Sequence, residues 1–66
     1  MKNRKHGWLV AVFLSGELGA AYEVFCKSES KAEQEAARAY REHNDIENVT
    51  IDEVLYDPIT EKYEAI

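Results

Sequence analysis

One thiol, two imidazoles and thirteen carboxylates are the side chains of this 66-residue chain with a capacity for chemistry. A nucleophilic cysteine needs a partner base and an electropositive pocket. Cys26 instead falls in phase with Tyr22 and Val24 in an alternating segment, which predicts a buried structural thiol. His43 falls on the last turn of a helical pattern, where an imidazolium suits the negative end of the helix dipole. His6 lies in a polar N-terminal stretch. Capping or surface roles outweigh general-base duty for both. Asp52-Glu53 reads as a solvated bulge in a strand rather than an acid/base pair. Gly16 and Gly19 lack the following helix and lysine of a phosphate loop. One Cys and two His without ligand spacing do not make a four-ligand zinc site. The expectation is therefore no catalytic residue, no cofactor and no metal, and a chain that works by binding.

The elements that would position such a surface are legible. Trp8 to Leu14 is an apolar run rich in β-formers, bounded by Gly7 and by Ser15-Gly16. It is too short for a helix and reads as a buried strand. Ala20 to Cys26 alternates, and the two glycines between these segments suit a hairpin loop, because glycine reaches positive φ without strain. Strands over 8–14 and 20–26 are expected. Ser30 with Glu33 fits a capping box, with Ser28 as the alternative cap. Ala32, Ala36, Ala39, Tyr40 and His43 then share one helical face, and Asn44-Asp45 ends the helix. Val49-Thr50-Ile51 resumes strand character. Val54 and Tyr56 have the opposite parity, and a bulge near Asp52-Glu53 would bring both sets to the core. Asp57-Pro58 is a turn, and residues 61–66 return as a short edge strand. The fold class is α+β: ββαβ(β), with a 3–4-stranded antiparallel sheet covered on one face by a single helix. Residues 1–6 are expected to be a flexible basic arm and 7–66 a single domain.

Charge narrows the partner. The net charge of −5 hides a split, since Lys2, Arg4 and Lys5 open the chain while residues 7–66 carry 13 acids against 5 bases. Such a body repels phosphate backbones and attracts basic surfaces. The lone cysteine fits a reducing, cytoplasmic setting. No stretch approaches the ~18 apolar residues of a membrane span. The run Trp8–Leu14 passes straight into a strand pattern, which argues against a signal peptide.

The succession Tyr22-Glu23-Val24-Phe25-Cys26-Lys27-Ser28, Lys31-Ala32-Glu33-Gln34-Glu35-Ala36 and Val49-Thr50-Ile51 resembles the small host RNA polymerase inhibitors of lytic phages. In layout only, it is also similar to archaeal ribosomal proteins of the LX type. The resemblance spans roughly residues 8–56 and implies a short, non-enzymatic protein, phage- or mobile-element-encoded, that blocks a host machine.

One helix covers one sheet face. Val10, Val12, Tyr22, Val24 and Cys26 suit a close-packed alanine helix, which leaves Leu9, Ala11, Phe13, Ala21 and Phe25 on the other face. The expected partner-binding residues are Leu9, Phe13 and Phe25, with Asp52 and Glu53 as an acidic rim. The expected partner is another protein with a basic surface, or a second copy in a homodimer. A nucleic-acid-binding module using the open sheet and the basic arm, or a structural subunit of a larger assembly, is the alternative; the acidity makes nucleic acid the weaker case.

Overall fold

A computed structural model describes residues 4–66. The element order is β1 (Lys5–Leu14), β2 (Tyr22–Cys26), α1 (Glu29–Glu42), β3 (Ile46–Asp57) and β4 (Lys62–Ala65). The four strands form one antiparallel sheet with α1 on one face, as the pattern of the sequence predicts, and their order across it is β2-β1-β3-β4. The first strand starts at Lys5, so Lys5 and His6 of the expected arm pair with Tyr56 and Leu55. The first three residues of that arm lie outside the described residues.

The helix begins at Ser28, the second of the two serine candidates. Ser28 leaves β2 in an extended conformation, and its Oγ accepts the Lys31 N–H at 3.1 Å. That hydrogen bond satisfies one of the donors a helix start leaves free. Ser30 is already inside the first turn. The helix ends at Glu42, and the His43 N–H donates to the Ala39 carbonyl.

Beneath α1, Val10, Val12, Cys26, Ala32 and Ala39 form the buried core, flanked by Trp8, Leu14, Val24, Ala36, Ile46 and Val49. The alanines let the helix backbone approach the sheet, and the valines fill the space. This is the face expected for Val10, Val12, Val24 and Cys26. Tyr22, expected on the same face, lies there opposite Val12 with its ring beside His43.

The bulge expected at Asp52-Glu53 is absent. The β1–β3 register runs unbroken from Lys5↔Tyr56 to Phe13↔Asn48 and shifts only between Phe13 and Leu14, where Leu14 meets Ile46 and Glu47 is the extra residue. The change of parity along β3 has a different cause. Val49 and Ile51 face the helix side, whereas Val54 and Tyr56 serve a second small core on the other face.

That second core is an aromatic clasp. Phe25, Tyr56 and Tyr63 have ring centroids 5.7, 6.0 and 5.0 Å apart, taken pairwise. Phe25 is on one edge strand and Tyr63 on the other. Edge strands of a flat four-stranded sheet lie about 14 Å apart. The sheet is therefore curled until its edges meet over β1 and β3, burying Gly7 and Val54 beneath the rings. Pairs of this kind contribute about 0.5–1.5 kcal/mol beyond the area they bury.

Candidate functional site

The clasp covers one end of the second face and leaves the other end open. There β1 presents Leu9, Ala11 and Phe13 as an apolar floor. Cross-strand register sets Phe25 and Asp52 beside Leu9, Glu23 and Thr50 beside Ala11, and Asn48 beside Phe13. Ala11 is buried by its neighbours, and Leu9 and Phe13 are half-buried. Past Phe13, the β1–β2 loop and the bulged start of β3 frame a cleft of about 360 Å³ lined by Phe13, Glu17, Leu18, Gly19, Glu47, Asn48 and Thr50. Gly19 holds φ at +75°, which lets the loop turn here. Leu18 projects fully into solvent at its lip.

The rim is negative. Glu23 and Asp52 flank the floor on its two sides, and Glu17 and Glu47 flank the cleft. Of the five residues the sequence nominates, Leu9, Phe13, Phe25 and Asp52 share this face. Glu53 does not. It points to the helix side, where its Oε2 lies 2.6 Å from Nε2 of His6. The unbroken register puts Glu53 out of phase with Asp52, so adjacent acids cannot serve one rim. Phe25 is on the right face but is engaged in the clasp. Apart from Phe13, the cleft residues escaped the sequence reading. Its one available signal was Leu18, an isolated apolar residue in a glycine-flanked loop.

The titratable groups with shifted behaviour serve structure. Burial pushes the Cys26 thiol up, and Glu35 adds to this while Lys31 opposes it. A protonated, buried thiol is a poor nucleophile. Tyr63 is raised by burial in the clasp, then by Tyr56 and Glu23. The Arg38 guanidinium, hydrogen-bonded at 2.9 Å, holds the Glu42 carboxyl down. No group of three or more His, Cys, Asp or Glu side chains could hold a metal ion among the described residues. None of the described helices is long and apolar enough to cross a membrane.

No protein-family model, no curated protein and no solved structure matches the chain.

Proposed function

We propose that this chain is a small, non-enzymatic interaction protein that seats a basic, partly apolar segment of another protein on its open sheet face. The observation that carries this reading is the coincidence of an apolar floor, Leu9–Phe13, with four rim acids, Glu17, Glu23, Glu47 and Asp52. A side chain entering the cleft gains burial against Phe13 and Leu18, worth roughly 1.5–3 kcal/mol if fully covered. Lys or Arg beside it meets the carboxylates, which raise the association rate and select against acidic surfaces. Stacking two copies face to face would bring four acids against four acids, so a basic partner fits better than a homodimer. The same acids repel a phosphate backbone. In a reducing cytoplasm, covering a basic surface of a host protein blocks whatever else that surface binds. That is the mode of action the resemblance to phage polymerase inhibitors implies.

The test is capture of a defined partner by wild type, Phe13→Glu and the remote control Gln34→Ala, with circular dichroism on each. The reading expects binding that weakens with salt, survives Gln34→Ala and is lost in a folded Phe13→Glu. Undiminished binding by folded Phe13→Glu overturns it. So does a wild-type dimer that Phe13→Glu dissociates, or a DNA gel shift at low micromolar protein in salt of about physiological strength.

A further inference from the structure

The third strand is twelve residues long, but β4 pairs only with its last four, Val54 to Asp57. Beyond them, Ile66 N–H reaches the Glu53 carbonyl at 3.4 Å, and the pairing stops. From Ile46 to Asp52 the outer side of β3 has no neighbouring strand among the described residues.

The direction of the backbone groups along this edge follows from that last bond. The Glu53 carbonyl points outward, toward β4. Backbone groups in a strand alternate sides with period two. The N–H and C=O of Ile51 and Val49 therefore point outward as well, while those of Asp52, Thr50 and Asn48 turn toward β1. Two residues thus offer two donors and two acceptors to solvent in a ready-made ladder.

The two flanks of the edge differ. On the helix side, Ile51 is 37% exposed and Tyr40 58% exposed. Lys31 and Glu35 act on Cys26, and Arg38 senses Tyr22, so that flank of α1 overhangs β2. At 100° per residue Tyr40 lies on the other flank of α1, the one turned away from β2. On the open side the edge presents Thr50 and Asp52, with Glu47 in the bulge.

We propose that the outer edge of β3 from Ile46 to Asp52 takes an added strand from a partner protein, an extended segment that alternates apolar residues with Lys or Arg. Its apolar side chains lie against Ile51 and Tyr40. Its basic side chains fall beside Asp52 and Glu47. Main-chain bonds to Val49 and Ile51 supply the anchoring, and the alternating side chains supply the choice of partner. The acids argue against a second copy as occupant. Antiparallel pairing of two β3 edges that sets Val49 of one copy opposite Ile51 of the other brings Asp52 opposite Asn48 and next to Glu47 of the second copy, and like charges facing across a strand pair are destabilising. This edge shares Asp52 and Glu47 with the rim of the floor, but its anchoring is the main chain of Val49 and Ile51 rather than Leu9 and Phe13, so loss of one mode leaves the other testable.

The probe is a blocked synthetic peptide of alternating Val and Lys, about seven residues long to match the free edge. A Val/Glu peptide and a Val/Lys peptide N-methylated on alternate residues are the controls. Amide signals and hydrogen exchange are followed on the isotope-labelled chain. The expected result is protection of the Val49 and Ile51 amides by the Val/Lys peptide, with none from the Val/Glu peptide. Affinity should fall by about tenfold or more on N-methylation, which removes peptide donors without touching the protein. In a folded Ile51→Pro variant, which loses one outward donor, the same loss is expected, while the remote Gln34→Ala leaves binding intact. The proposal is overturned if the Val/Lys peptide leaves Val49 and Ile51 unprotected or if N-methylation is without effect. Protection of those amides by protein concentration alone also overturns it, because the occupant is then a second copy.

Discussion

The ring of Phe25 lies directly on Gly7. A methyl group at Gly7 would overlap that ring and come within 2.5 Å of the Cys26 carbonyl. Backbone cannot yield as a flexible side chain can, so the strand itself would have to move. Gly7→Ala is expected to cost roughly 1–3 kcal/mol, the range for overpacking a tight site. Urea unfolding measures it. An unchanged midpoint would mean that the clasp is loose.

Phe25 and Phe13 share a face but should behave differently on substitution. Phe25→Ala removes the ring that ties one sheet edge to the other. The expected loss is about 3 kcal/mol, the lower end for Phe→Ala because the ring is half-buried. Phe13→Ala removes floor rather than clasp and should cost clearly less. Thermal melts of the two variants side by side decide this, and equal losses would refute the division of the face.

Ser28 and Ser30 both resemble helix caps in sequence, but only Ser28 has its Oγ on the Lys31 N–H. Ser28→Ala should destabilise by about 1 kcal/mol, and Ser30→Ala by a few tenths at most. The reverse order in denaturant unfolding would place the cap at Ser30.

Alkaline stability should fall through two groups. Cys26 and Tyr63 both titrate above their ordinary values of 9.0 and 10.0 in the folded chain. The unfolded chain therefore releases these protons first as pH rises. Their contribution is fully present below pH 9, begins to fade above it, and is lost once the folded-state values are passed. Cys26→Ala should flatten the upper part of a stability–pH curve that begins near pH 9. A curve that rises over that window contradicts both assignments.

The elements that period and turn chemistry specify were legible in the chain. The alternation of Tyr22, Val24 and Cys26, the alanine face of α1 and the Asp57-Pro58 turn each follow from local rules. The choice of which β1 face goes under the helix followed from side-chain size. Strand parity was harder. Val54 and Tyr56 were out of phase with Val49 and Ile51, and a bulge explains such a change as well as a second core does. Only the curl of the sheet, which depends on rings meeting from opposite edges, separates the two. The same curl takes Phe25 out of the open floor, and the unbroken register takes Glu53 out of the rim. Both effects arise from pairings between residues far apart in the chain, which composition does not encode.

The order of strands also dictates how the chain comes together. The pairs β1–β2 and β3–β4 are local hairpins, closed by short turns. The central seam, from Phe13↔Asn48 out to Lys5↔Tyr56, joins segments separated by most of the chain. Closing that seam carries the loop entropy of everything between, so it sets the pace of folding. Until it closes, α1 has only half a sheet to cover, and Phe25 has no tyrosines to meet. Neither hairpin should persist alone, and the helix-side core and the clasp should appear in a single kinetic step, with the rate set by β1 finding β3.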